Sequence, residues 1–250
     1  MGFITTFKPL KITEYISQTI DRLPKGYVFT YADFMREVNS REAVIKALNR
    51  MAGSGKIGKL SKGRYYKPEK TAFGTLGPNQ YQVVKDLLEA DGKTVGYLTG
   101  YSIYNQLGLT TQIGNTIQIG RNEVRPSFKR EHYTISFVRQ KNIITKENIP
   151  LLQIIDALKY IRKIPDTTIQ NTCRRFLEIL EDLSTSEEKA LIRLAQKYNP
   201  ATRALLGALL EQLNRKDNLE VLTKSLNPIT RYNFPNLNKV LSSCKSWNIE

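Results

Sequence analysis

Long apolar runs are missing from this chain of 250 residues. No segment approaches the ~20 consecutive apolar residues that a membrane-spanning helix requires, so no membrane location is expected. The stretch from Met1 to Leu10 holds no apolar core followed by a small-residue cleavage site, and the compartment expected is therefore the cytoplasm. Cysteine is scarce. Cys173 and Cys244 stand far apart in sequence, without metal-ligand or redox spacing, which speaks against a disulfide framework and for two reduced thiols. Histidine occurs once, as His132, with no HExxH, HxH or Cys/His partner pattern around it. The chain also lacks a GxxxxGK[ST] phosphate loop, a GxGxxG turn and a GxSxG elbow. Glu178, Glu181 and Asp182 fall along one helical segment as a solvated face, not as an inward-facing pair of carboxylates. No catalytic residue, metal site or cofactor is expected, and the protein is read as a non-enzyme. A metal-dependent nuclease is the enzymatic alternative, because such nucleases have loose signatures.

Acidic side chains are also in short supply, with 38 Lys+Arg against 23 Asp+Glu and a formal net charge of +15. That balance favours polyanionic partners. The excess is uneven. Residues 1–70 carry 14 basic and 6 acidic side chains, so more than half of the surplus lies in little more than a quarter of the chain. A local surplus asks for a local explanation.

Residues 11–23 place Ile12, Tyr15, Ile16, Ile20 and Leu23 at helical spacing, and Pro24-Lys25-Gly26 ends that helix. Tyr27-Val28-Phe29 has strand character. Thr30 is placed to cap a second helix over residues 31–38, and Ser40 a third over residues 41–52. In the third helix Val44, Ala47, Leu48 and Met51 share one face, while Glu42, Lys46, Asn49 and Arg50 lie opposite. Two short β-prone runs follow, residues 56–60 and 64–67, joined by Ser61-Lys62-Gly63. This order predicts a winged helix-turn-helix over residues 1–72. The Pro/Gly-rich stretch at residues 73–78 is the expected boundary. A small mixed α/β unit is expected over residues 79–147 and a mainly helical region over 148–250, the alternative being that the two pack as one domain. The fold class expected is α+β.

A helix-turn-helix reads duplex DNA with side chains that reach base edges, flanked by charges that hold phosphates. On the recognition helix the candidates are Ser40, Arg41, Lys46, Asn49 and Arg50. Arginine pairs bidentately with guanine and asparagine with adenine. Ser40 and Thr30 stand at helix starts, where free amides suit phosphate. On the wing the candidates are Lys59, Lys62 and Arg64. Tyr65 is expected to pack the wing onto the core, with Tyr66 partly exposed. The competing explanations are a solvated charged face and a winged helix that docks protein or RNA without repressor activity.

Two stretches carry a family resemblance. One runs from Ser40-Arg41-Glu42-Ala43-Val44 through Lys56-Ile57-Gly58-Lys59-Leu60-Ser61-Lys62-Gly63-Arg64-Tyr65-Tyr66. The other is Thr99-Gly100-Tyr101 through Asn105-Gln106-Leu107-Gly108-Leu109-Thr110-Thr111-Gln112. Together they span roughly residues 11–140, and over that span the chain resembles the AbiEi-like antitoxins of bacterial abortive-infection operons, which are winged-helix transcriptional regulators. The resemblance implies a repressor of its own operon, bound to double-stranded promoter DNA at repeated half-sites. It also implies opposition to a nucleotidyltransferase toxin encoded beside it, without a stable complex between the two. Residues 150–250 carry no resemblance.

Overall fold

The computed structural model describes residues 12–215 and 217–250. Helical spacing of apolar residues decides the first element. α1 (Ile12–Arg22) buries Ile16 and Ile20, four positions apart on one face. β1 (Val28–Thr30) follows, then a single 3-10 turn over Tyr31–Phe34. The helix expected over residues 31–38 is therefore much shorter. Thr30 does cap it, its hydroxyl accepting from the Ala32 amide at 3.2 Å, while the Asp33 carboxylate accepts from the Thr30 amide at 2.7 Å. Only Phe34 and Val38 are buried beyond the cap, and two apolar contacts do not repay the cost of nucleating a full helix. α2 (Arg41–Gly53) starts at Ser40, whose hydroxyl accepts from the Ala43 amide at 3.3 Å.

The hairpin follows as β2 (Gly58–Ser61) and β3 (Arg64–Tyr66), with Gly63 at the turn at a φ of +75°. β3 lies between β1 and β2 in an antiparallel three-stranded sheet, pairing Phe29 with Tyr65 on one side and Lys59 with Tyr65 on the other. Phe29 stacks on Tyr65 with ring centroids 6.4 Å apart and meets Phe34 edge-on at 5.8 Å. These rings, with Ile16, Ile20, Val44, Leu48 and Met51, make one core.

The stretch at residues 69–76 forms a small antiparallel hairpin, β4 (Glu69–Thr71) and β5 (Gly74–Leu76), with Phe73 fully exposed at its tip. α3 (Gln80–Leu88) comes next. Contacts divide the chain into two compact units, Met1–Lys85 and Asp86–Glu250, so the division falls within α3.

In the second unit β6 (Glu89–Ala90) and β7 (Lys93–Thr94) form a minimal hairpin before β8 (Gly96–Thr99) and α4 (Tyr101–Gln106). β9 (Thr116–Arg121), β10 (Phe128–Arg130) and β11 (Tyr133–Arg139) complete a four-stranded sheet in the order β10-β11-β9-β8. The β9–β11 pair is parallel and the other two pairs are antiparallel. Among the described residues, the helices α5 (Ile149–Lys159), α6 (Ile169–Glu181), α7 (Thr185–Ala195), α8 (Pro200–Gln212) and α9 (Leu219–Lys224) follow. The chain is thus mixed α+β. α8 buries every residue from Ala204 to Leu210, and Trp247 from the last 3-10 turn packs on it.

One carboxylate sits inside this otherwise apolar core. Asp156 on α5 is 1% exposed. It accepts from the hydroxyls of Tyr97 at 2.7 Å, Thr99 at 3.0 Å and Tyr198 at 2.7 Å. Gln140 donates from its amide nitrogen to both tyrosine oxygens, at 2.7 and 2.8 Å. Burial pushes the Asp156 carboxyl above its ordinary range, against the three hydroxyl donors, which favour the charged form.

Candidate nucleic-acid interface

The candidate residues stand on α2 and the β2–β3 hairpin, both in the first unit. Four apolar side chains turn one face of α2 inward and leave Glu42, Lys46, Asn49 and Arg50 outward. The structure assigns these outward residues different tasks. Asn49 accepts at its Oδ1 a hydrogen bond of 2.7 Å from the Tyr65 hydroxyl. Tyr65 is itself 3% exposed, and burial raises its pKa, so it remains a donor at ordinary pH. That bond fastens the hairpin to the outer edge of the helix. Arg50 donates from Nη2 to the Thr13 hydroxyl of α1 at 2.9 Å. Arg41, at the first turn, lies with Cζ 4.5 Å from the centroid of the Tyr31 ring. Ser40 spends its hydroxyl on the helix cap.

Of the candidate cations, Lys46, Lys59 and Lys62 are exposed and take part in no ion pair among the described residues. Arg64 is half-buried on β3. Lys56, Lys67 and Lys25, by contrast, are bonded within the unit. Lys56 pairs with Asp21 at 3.0 Å and also donates to Ser17. Lys67 donates to the carbonyls of Asp21 at 2.8 Å and Leu23 at 2.7 Å, capping the C-terminal end of α1. Lys25 pairs with Glu69 at 3.1 Å. Their chain positions do not separate these structural lysines from the exposed ones. The sorting depends on which of them fold back onto α1, a contact of long sequence range.

Chemically, three unpaired ammonium groups beside a helix–hairpin edge suit a polyanion, and phosphates more than base edges. The most direct base-reading candidates, Asn49 and Arg50, are each engaged inside the unit. Among the described residues no group of three His, Cys, Asp or Glu side chains could hold a metal ion, and no helix is long and apolar enough to cross a membrane.

A family model described as a family of unknown function (DUF6088) matches residues 15–187. No curated protein matches the chain. Among solved structures, the crystal structure of the RV2827C protein from Mycobacterium tuberculosis is similar, with a TM-score of 0.58 and 13% sequence identity over 88% of this chain and 83% of that one. At that identity the likeness is one of fold.

Proposed function

We propose that this chain, which belongs to the family of unknown function DUF6088, is a DNA-binding transcriptional repressor that contacts duplex DNA through α2 and the β2–β3 hairpin. In this reading the first unit is a winged helix-turn-helix, with α2 as the recognition helix and the hairpin as the wing. The observation that carries it is the set of exposed, unpaired lysines Lys46, Lys59 and Lys62 on two elements joined by the Tyr65–Asn49 hydrogen bond. Uncompensated cations on a rigid helix–hairpin edge gain most from phosphates, since each contact releases condensed counterions. Binding is then strong in backbone contacts, with base preference supplied by whatever freedom Asn49 and Arg50 regain on the duplex. By the resemblance of residues 11–140 to the AbiEi-like antitoxins, the operon repressed is its own. The same resemblance extends the proposal to opposing a nucleotidyltransferase toxin from that operon without a stable complex. The second unit is then the place to seek the antitoxin activity.

The test is a mobility-shift titration of the full chain with its own upstream region against a scrambled duplex, at two salt concentrations. Lys46→Ala and Lys62→Ala are each expected to weaken binding to both duplexes and to lower the salt slope by about one. A duplex affinity that neither substitution changes would refute the assignment of this face.

A further inference from the structure

In the second unit, two adjoining depressions of about 380 and 340 Å³ share Arg139 and Lys159 as a common wall. They open beside the end of β11, the C-terminal turn of α5 and the link between α7 and α8. Lys163 adds to the first, and Lys141 and Lys197 to the second. Among the described residues, five cations therefore line one cleft and no Asp or Glu does. None of the five takes part in an ion pair among the described residues, although five such pairs occur elsewhere in this unit. Three of them rest instead on aromatic rings or a carbonyl. Lys159 lies 4.9 Å from the Tyr160 ring centroid and 5.9 Å from that of Tyr198, Lys163 lies 5.5 Å from Tyr160, and Lys197 donates to the Lys141 carbonyl at 3.3 Å.

Like charges gathered in this way repel one another, and a solvated surface would disperse them or interleave carboxylates. The cleft does neither. Asp156, one turn before Lys159, is buried and bonded to three hydroxyls. That network also stiffens the floor, because Gln140 and Tyr198 belong both to it and to the second depression. The other walls are not purely basic. Tyr101, Tyr160 and Gln118 line the first depression, as does Ser136, whose hydroxyl is buried and has no hydrogen-bond partner among the described residues.

We propose that this cleft binds a free nucleoside polyphosphate, the phosphates lying between Arg139, Lys159 and Lys197 and the base entering among Tyr101, Tyr160 and Ser136. A polyanion matches the concentration of uncompensated charge, and a ring system matches the aromatic wall. The volume of each depression lies within the range of pockets that hold small ligands and not of extended strand channels. The proposal is independent of the DNA-binding role of the first unit.

Titration calorimetry on the full chain tests it, with ATP, GTP, CTP and UTP, with inorganic tripolyphosphate, and with a short single-stranded oligonucleotide. At least one nucleoside triphosphate is expected to bind more tightly than tripolyphosphate. Lys159→Gln and Arg139→Gln should each weaken it about tenfold or more, the effect of losing one charge-assisted contact. Lys189→Ala, an exposed change on α7 outside the cleft, should leave it unchanged. Unaltered circular dichroism and melting of Arg139→Gln, which is exposed, would assign its loss of binding to the cleft and not to unfolding. Four results would overturn the proposal: no binding of any nucleotide, binding no tighter than tripolyphosphate, affinity unchanged in both cleft variants, or cleft-dependent binding of the oligonucleotide alone.

Discussion

The hydroxyl of Tyr65 and the carboxyl of Asp156 are the two polar groups on which most of the residue-level chemistry turns. Tyr65 is packed against Phe29 while its oxygen reaches Asn49, so the ring serves the core and the hydroxyl orients the helix edge. Tyr65→Phe keeps the ring and removes one hydrogen bond. It is expected to cost about 0.5–1.5 kcal/mol in urea unfolding. It also unties the hairpin from α2, so DNA affinity should fall along with stability. Arg50→Ala should behave differently from Lys46→Ala, because Arg50 bonds Thr13 on α1. It is expected to lower the stability of the first unit as well as DNA affinity. For Asp156 the sign follows from its raised pKa, which burial causes. A carboxyl that protonates more readily in the folded than in the unfolded chain contributes most stability below the ordinary carboxylate range. That contribution is lost as pH rises from there through the raised folded value. Asp156→Asn cannot ionise, and thermal melts across that window should show a smaller fall with pH than in the parent chain.

Elements differ in how much of their form comes from local rules. α2 follows its own pattern: Ser40 caps it and the spacing of Val44, Ala47, Leu48 and Met51 orients it. The segment after Thr30 has a sound cap but too few buried side chains to extend past Phe34. Contacts with neighbours decide other positions. A Cβ at Gly207 of α8 would stand 2.2 Å from the ring of Trp247, which is 3% exposed and cannot swing away. At Gly58 of β2 a Cβ would meet the outer end of the Tyr66 ring, which is only half-buried and can move aside. Gly207→Ala is therefore expected to destabilise by about 1–3 kcal/mol in spite of a propensity gain near 1 kcal/mol. Gly58→Ala should cost less, and paired chemical-denaturation curves would rank them. If Gly207→Ala were neutral, the Trp247 contact would not be as tight as described.

At the scale of the whole chain, α3 bears on where a foldable fragment ends. Gln82 of this helix accepts from the Val28 amide at 3.0 Å, and Lys85 donates to the Tyr27 hydroxyl at 3.3 Å. A fragment ending at residue 72 lacks both bonds, and it is expected to unfold at lower urea than one running through Leu88. Equal midpoints would mean that α3 adds nothing to the first unit. α1, α2, the caps at Thr30 and Ser40 and the β2–β3 hairpin could be written down from the chain, because their causes lie within a few residues: apolar spacing near 3.6, a hydroxyl before a helix, a glycine at a turn. The amount of positive charge and its crowding into residues 1–70 could be read in the same way. Which cations are spent on the fold could not. Lys56 and Lys67 reach back to α1, Arg50 reaches Thr13, and Arg139, Lys159 and Lys197 converge from β11, α5 and the link between α7 and α8. Local periodicity carries no information about such pairings, because they arise only once distant segments pack and each charge finds, or fails to find, a partner.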